Sequence, residues 1–230
     1  MTIDQELKTT LSQQGVCDVG FSQLPDGIGD LTNAVSLVLP LSETVIDEIT
    51  DKPTYTYFHH YRTVNAYIDR LIMEAGLILQ RSGWRYLPIA ASQSSPKTPV
   101  RAYTGRYSHK KAAVLAGLGT IGKSTLFLHH QHGPRVRLGT LLTDCPLPAA
   151  KYNLSASPCS RCHICVKACP AGAIKDRLWE PGLAREDSFD AAACNDYMRQ
   201  HFMQIGRGSV CGICIKVCPK TWETHRRTDD

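Results

Sequence analysis

The cysteines constrain this chain more than any other feature of its sequence. Eight of the ten lie between positions 159 and 218. The first residues, 1–8, are polar and acidic, with no basic or apolar leader segment, so we expect no export signal and a cytoplasmic location. Clustered cysteines in a reducing compartment are typical of metal ligands or catalytic thiols rather than disulfides. The sequence therefore predicts a metal-binding module in its second half.

The spacing of these cysteines indicates the kind of metal centre. Residues 159–170 read C-x2-C-x2-C-x3-C-P, the run found in bacterial [4Fe–4S] ferredoxins. Residues 211–219 read C-x2-C-x3-C-P, one cysteine short, and Cys194 is the obvious replacement. In two-cluster ferredoxins the last cysteine of a run ligates the other cluster. The predicted ligands are Cys159, Cys162, Cys165 and Cys218 for cluster 1, and Cys169, Cys194, Cys211 and Cys214 for cluster 2.

Zinc is the main alternative, because it also binds sets of four cysteines. Zinc sites rarely interleave two runs that each end in Cys-Pro, so two [4Fe–4S] clusters are the preferred interpretation. The two remaining cysteines, Cys17 and Cys145, are predicted to be small apolar core residues.

The rest of the chain has the composition of a globular protein, with 43% hydrophobic and 20% charged residues. The net charge of +5 is scattered along the sequence, which gives little support for a nucleic-acid partner. No apolar run approaches the roughly 20 residues that cross a bilayer, so no membrane association is expected.

We expect an α/β cofactor-binding or docking domain at 1–150 and a ferredoxin-like double-cluster domain at 151–230.

Hydrophobic periodicity predicts an α+β fold with an α/β-type N-terminal core. The predicted helices cover 3–14, 55–82 and 110–116, and the predicted strands cover 16–21, 33–40, 86–91 and 136–143. Loops are predicted at 92–99 and 146–158. Five histidines are expected in loops or at the surface: His59, His60, His129, His130 and His132.

A glycine-rich block at 116–125 matches two phosphate-binding patterns. Gly117–Ser124 fits G-x4-G-K-[ST], and the same glycines fit G-x-G-x-x-G. Both patterns hold phosphate at a helix N-terminus that follows a buried strand. Because residues 110–116 are predicted to be helical, a P-loop-like nucleotide-binding redox protein is kept only as a minor alternative.

The block Ser108–Lys123, the segment Gly133–Asp144 and the cysteine runs together resemble the epoxyqueuosine reductase family, which is related to the reductive dehalogenases. The resemblance implies a nitroreductase-like N-terminal domain that binds base-off cobalamin, with electrons passing from the clusters to cobalt. It implies a corrinoid pocket lined by Gly117, Gly119, Gly122, Lys123, Arg135, Arg137 and Gly139, with His109 and Lys110 as further polar candidates. The alternative is that these glycines only permit a tight junction between helix and strand.

The chain also departs from that family. It has no Asp between positions 70 and 143, where the reductases carry an acidic proton donor, and no C-terminal helical repeats, so a true epoxyqueuosine reductase is not expected. Reductive dehalogenases use a Tyr donor, and by that resemblance Tyr103 or Tyr107 is the candidate.

Two functions remain open from the sequence. The first is a cobalamin-dependent iron–sulfur oxidoreductase acting on an unknown small substrate. The second is an electron-transfer or activation protein that reduces a partner metalloprotein or corrinoid protein. A donor such as a ferredoxin or flavodoxin is the expected redox partner.

Overall fold

The computed structural model of the protein describes residues 1–93, 103–150, 157–206 and 208–221. Its elements, in chain order, are α1 (Ile3–Gln13), β1 (Asp18–Ile28), β2 (Leu31–Pro40), α2 (Glu43–Asp47), α3 (Tyr55–Arg81), β3 (Tyr86–Ile89), α4 (His109–Leu115), β4 (Gly119–Ile121), β5 (Phe127–His129), β6 (Val136–Thr143), α5 (Ile164–Ala168), α6 (Arg185–Ser188), α7 (Ala191–His201), α8 (Met203–Gly206), α9 (Ile213–Lys216) and a 3-10 turn at Pro219–Thr221.

The predicted helices and strands of the N-terminal part are confirmed, with three differences, the first of which is the unpredicted five-residue helix α2. Strand β1 continues to Ile28 through an irregularity between Gln23 and Ile28, so it is longer than predicted. Strands β4 and β5 were not predicted, because each has only three residues. Most of the predicted loop at 92–99 and residues 151–156 of the predicted connector lie outside the described residues.

Contacts between residues divide the chain into two compact units, each assembled from three segments. Unit 1 comprises Met1–Pro40, Thr63–Leu118 and Arg137–Leu154, and unit 2 comprises Leu41–Arg62, Gly119–Val136 and Ser155–Asp230. The last junction between them lies between Leu154 and Ser155, and the expected division at residues 150 and 151 stays a prediction. The second unit also recruits two segments from the first 136 residues, which a linear division of the sequence does not anticipate.

Unit 1 is built on a four-stranded sheet in the order β1-β2-β6-β3. The pairs β1–β2 and β3–β6 are antiparallel. Helix α3 packs on the sheet at Gly139, where a Cβ would come within 2.7 Å of Ile68 and 3.0 Å of Ile72. Helix α4 contacts β1 and β2. This arrangement gives the mixed α/β core that the sequence predicted.

Unit 2 contains the cysteine runs together with the β4–β5 hairpin and α2. The short helices within the two runs, α5 and α9, contact each other, and α2 contacts α9. In the described part of the chain, no helix combines the length and the apolarity needed to cross a membrane.

Candidate metal centres

The first centre is a cavity in unit 2 whose lining includes the sulfur-bearing residues Cys159, Cys162, Cys165 and Cys218. It holds about 350 Å³ of space not filled by atoms, part of it open to solvent. A tight turn, in which the Cys162 amide donates to the Cys159 carbonyl at 3.1 Å, brings the first two thiols together. Helix α5 begins at Ile164 and places Cys165 in its first turn. The other lining residues are Ser124 and Leu128 of the hairpin, Pro158, Pro219 and Lys220.

The second centre brings Cys194 to the second cysteine run. The Asp190 side chain caps α7 by accepting from the Ala193 amide at 2.9 Å, and this fixes Cys194 in the first turn of that helix. The pKa of Cys194 is raised to about 12, mostly by burial and then by the neighbouring Cys211 and Cys169. Electrostatic influence of this kind requires the groups to be close.

The pKa of Cys214 is raised by neighbouring thiols of the same set. Burial raises it most, followed by Cys211, Cys194, Cys169 and, last, Cys165 of the first run. The four thiols predicted for cluster 2 therefore lie in one another's electrostatic range.

The thiols of the first centre influence one another in the same way. The pKa of Cys218 is raised to about 11, mostly by burial and then by Cys159, Cys165 and Cys162. Because buried thiolates would repel one another, these groups keep their protons until a cation replaces those protons. Both groups therefore have the donor chemistry and the electrostatics of a metal–thiolate site.

The β4–β5 hairpin supports the first centre. A Cβ at Gly122 would lie 3.2 Å from the Cys159 sulfur, so the backbone passes against the cavity wall. The next residue, Lys123, is 4% exposed, and its Nζ lies 2.8 Å from Asp176 Oδ1. Asp176 also bonds His163 Nδ1 at 2.7 Å. The hydrogen bond from Lys123 and that from His163 hold the pKa of Asp176 below its usual range.

Segment 41–62 supports the second cysteine run. A Cβ at Gly212 would lie 2.6 Å from the Tyr57 ring and 2.8 Å from Ile49. Lys216 of α9 bonds Asp47 of α2 at 2.7 Å, and Arg135 bonds the same carboxylate oxygen at 2.9 Å. These bonds lower the pKa of Asp47, that from Lys216 most strongly.

The family described as "4Fe-4S double cluster binding domain" matches residues 158–221. Epoxyqueuosine reductase of Yersinia pestis is 42% identical over 131 residues, which are 53% of this chain and 29% of that protein. Tetrachloroethene reductive dehalogenase of Sulfurospirillum multivorans is 32% identical over 113 residues, 47% of this chain and 23% of that protein. The matched segments thus span less than a third of either relative.

Solved structures of both relatives share the fold. A catabolic reductive dehalogenase, NpRdhA, matches 95% of this chain and 32% of its own chain with a TM-score of 0.73 at 17% identity. An epoxyqueuosine reductase solved with an epoxyqueuosine-modified tRNA stem loop matches 96% of this chain and 66% of its own, with a TM-score of 0.62 at 17% identity.

Both sequence relatives and both solved structures thus confirm the resemblance to epoxyqueuosine reductases and reductive dehalogenases. The matching double-cluster domain covers both cysteine runs, so the cofactors of this protein include two [4Fe–4S] clusters. The preferred interpretation of the cysteine pattern is thereby confirmed over zinc.

The structure removes the geometric basis for a P-loop. The glycine-rich block leads into strand β4 and a turn, and in the described residues no helix begins at Lys123 or Ser124. Lys123 is instead buried in an ion pair with Asp176. The minor nucleotide-binding alternative is therefore wrong on geometry.

Several residues expected in the corrinoid pocket have structural partners. A Cβ at Gly119 would lie 2.2 Å from the Leu128 carbonyl oxygen, and Gly139 lies against α3. Arg137 donates twice to the Asn65 side-chain oxygen, at 3.0 and 2.8 Å. Gly117 lies in the left-handed region with φ 74°, as a residue ending a helix often does. These contacts explain the residue types at these positions without a cofactor.

His109 is placed differently. Its Nε2 lies 3.1 Å from the Ala90 carbonyl, while Nδ1 is buried without a hydrogen-bond partner among the described residues. Burial lowers the pKa of His109, so the neutral ring donates through Nε2 and keeps a lone pair on Nδ1. The neighbouring Lys110 is partly buried at the start of the same helix.

The two candidate tyrosines differ. Tyr107 donates to Asp26 at 2.7 Å, and burial, followed by this bond, raises its pKa. A raised pKa makes Tyr107 a weaker acid. Tyr103 is partly buried and has φ 47°, a strained conformation for a residue with a side chain.

Two expectations outside the cysteine runs are wrong. Cys17, immediately before β1, is exposed, and its thiol donates to the Val38 carbonyl at 3.3 Å, whereas Cys145 is buried as predicted. His129 is buried on β5 rather than at the surface.

The sequence interpretation also missed Asp47 and Asp176. Neither carries a local signal, although the φ of 55° at Asp176 is one that Asp tolerates better than most residues.

Proposed function

We propose that this protein is an iron–sulfur reductase in which an external donor feeds two [4Fe–4S] clusters and the clusters reduce a corrinoid held by the chain. Cluster 1 takes Cys159, Cys162, Cys165 and Cys218, and cluster 2 takes Cys169, Cys194, Cys211 and Cys214. The observation that carries the proposal is the cavity lined by the four thiols of the first set, which come from both cysteine runs. Shared ligation keeps the clusters close, and proximity favours fast electron exchange.

The donor set fits this cofactor. Four thiol groups and an apolar wall that includes Leu128 match the surroundings of a [4Fe–4S] cluster. The reduction potential of such a cluster depends on nearby charges, hydrogen bonds and solvent access. Both centres have a lysine–aspartate pair close to their ligand segments.

The corrinoid is proposed from the resemblance to cobalamin-using relatives and from one unsatisfied buried nitrogen. A solved reductive dehalogenase with this fold supports a mechanism for B12-dependent dehalogenation. In this chain the buried Nδ1 of His109 has no hydrogen-bond partner among the described residues. This nitrogen can accept a hydrogen bond from an amide N–H, a group that corrinoids carry. Bound there, the corrinoid would supply a strongly reducing metal centre.

A second function is favoured by a different observation. Lys123, Arg137 and Gly139, which were expected in the pocket, already have partners within the chain. An electron-transfer or activation protein, which reduces a partner metalloprotein or corrinoid protein, needs the clusters but no pocket of its own. The substrate of either function is a small molecule or a partner protein. The prediction that nucleic acid is not a partner stays a prediction, since a relative with this fold binds a tRNA stem loop.

Two measurements test the proposal. Anaerobically reconstituted protein should hold about eight irons and eight acid-labile sulfides per chain, and stoichiometric zinc or about four irons would contradict the ligand sets. Hydroxocobalamin should then co-elute with the loaded protein in gel filtration at one per chain, and its corrin spectrum should change on addition of dithionite.

A variant of His109 separates the two functions. Substitution of His109 by Phe should weaken co-elution of cobalamin while leaving the iron content unchanged. Full iron content without any cobalamin binding would favour the electron-transfer function instead.

A further inference from the structure

The G-K-S motif that resembles a P-loop requires another explanation. Residues 122–125 form the turn between β4 and β5, closed by a bond from the Gly122 amide to the Leu126 carbonyl at 3.0 Å and one from the Thr125 amide to the Gly122 carbonyl at 2.8 Å. Gly122 lies close to the Cys159 sulfur, Ser124 lines the first metal centre, and Lys123 contacts the ligand loop at Ser160. Their positions suggest a role in the environment of that centre.

Gly122 supplies the close approach. A Cβ there would meet Leu128 Cδ1 at 2.9 Å and the Cys159 sulfur at 3.2 Å. Its φ is not in the left-handed region, so the requirement is one of space rather than of backbone conformation. Ser124 follows and lines the cavity.

Lys123 supplies a buried charge. Its side chain is 4% exposed, and Nζ also lies 3.4 Å from the carbonyl of Ser160, a residue between Cys159 and Cys162. A lysine is rarely buried to this extent unless it is paired, because desolvation of an ammonium group is costly. The ion pair with Asp176 therefore holds a positive charge at the ligand loop.

The two charges of this pair are screened unequally. The Asp176 side chain is 39% exposed and is shared with His163, whereas Lys123 is almost fully enclosed. Water weakens the field of an exposed charge much more than that of a buried one. The net electrostatic effect at the cavity is therefore positive.

We infer that the Gly122–Ser124 turn forms part of the surroundings of cluster 1, and that the buried Lys123, balanced by Asp176, raises the reduction potential of that cluster. This inference rests on the proposed ligand set of cluster 1. When a donor adds one electron to the cluster, the cluster becomes more negative by one charge, and a fixed positive charge nearby stabilises the reduced form. Lys123 is thus a positioning and tuning residue that itself exchanges no electron.

The test is an anaerobic redox titration of the full reconstituted chain with dithionite, followed by EPR at one fixed pH. Lys123→Met should lower one of the two midpoint potentials by about 59 mV. This shift corresponds to a change of about tenfold in the one-electron reduction equilibrium constant. Asp176→Asn should raise the same midpoint, because it leaves the lysine uncompensated. Lys123→Arg should stay within about twofold of the parent.

Lys167 offers a matched control. It lies between Cys165 and Cys169 in the first run but is exposed, so Lys167→Met should shift neither midpoint by more than about twofold. Unchanged midpoints in Lys123→Met and Asp176→Asn at full iron content would overturn the inference.

Loss of iron is also decisive. If Lys123→Met does not retain cluster 1, Asp176→Asn carries the test, and anything other than an upward shift overturns the inference. Loss of cluster 1 in both variants means a purely structural role and likewise overturns it. If the titration of the unsubstituted protein does not show two one-electron transitions, each with its own EPR signal, the proposed ligand sets themselves are contradicted.

Discussion

The two cysteine runs are near-copies in sequence but are supported by different parts of the fold. The first run lies against the β4–β5 hairpin, with Gly122 close to the Cys159 sulfur. The second run lies against segment 41–62, with Gly212 against Tyr57. One sequence pattern has thus acquired two unrelated environments.

The ion pairs of the two centres differ in the same way. Lys123, beside the first run, is enclosed, whereas Lys216 of the second run is 24% exposed and shares Asp47 with Arg135. Because potentials respond to buried charges more than to solvated ones, the comparison teaches that the two clusters need not be equivalent electron carriers.

The largest expected effect comes from removing ligands. Substitution of Cys218 by Ala should abolish the same EPR signal as substitution of Cys159, because both belong to cluster 1, and iron should fall from about eight to about four per chain. Substitution of Cys211 should abolish the other signal. Cys17→Ser is the control and should keep all iron, since this exposed thiol lies outside both sets. Loss of the Cys211-type signal in Cys218→Ala would show that the ligands do not cross between runs.

The glycines that permit close packing should rank next. Gly212→Ala places a Cβ 2.6 Å from the Tyr57 ring at φ 82°, so both crowding and backbone strain oppose it. We expect a loss of about 2–3 kcal/mol in the free energy of unfolding.

Gly122→Ala should cost less, about 1–2 kcal/mol, because its main neighbour is the flexible end of Leu128. Urea unfolding followed by tryptophan fluorescence measures both variants. An equal cost would remove this difference between the two centres.

Asp47 gives a smaller effect with a defined pH dependence. Bonds from Lys216 and Arg135 lower the pKa of this carboxyl in the folded protein, so its contribution is full above the pKa of an ordinary Asp, near 4, and is lost as pH falls through the folded pKa. Asp47→Asn should cost about 1 kcal/mol, since the side chain is half exposed. The cost should be equal at pH 7 and pH 5 and should shrink below about pH 4. A cost that grows on acidification would contradict this assignment.

The smallest effect compares Lys216 with Lys167, which occupy equivalent positions in the two runs. Lys216→Met should cost about 0.5–1 kcal/mol through the lost bond to Asp47. Lys167→Met should cost less than about 0.5 kcal/mol, because this side chain is exposed. Equal costs in urea unfolding would indicate that the bond to Asp47 contributes nothing measurable.

Local patterns explain what the sequence predicted well. The long helix α3 and strands β2 and β6 follow from hydrophobic periodicity, which needs only neighbouring residues. The three-residue strands β4 and β5 give too short a pattern, so the glycine-rich block was interpreted through its motif and its resemblance instead. The exposure of Cys17 and the burial of His129 depend on packing partners that no local pattern identifies.

The sequence by itself determined the chemistry of this protein, because the spacing of thiols along short turns limits which metal centres they can form. Only the tertiary structure decided what surrounds each centre. Lys216 meets Asp47 across 169 positions, and Arg135 meets it across 88. Contacts over such separations depend on how the whole chain packs, whereas the cysteine spacing depends on a few consecutive backbone angles.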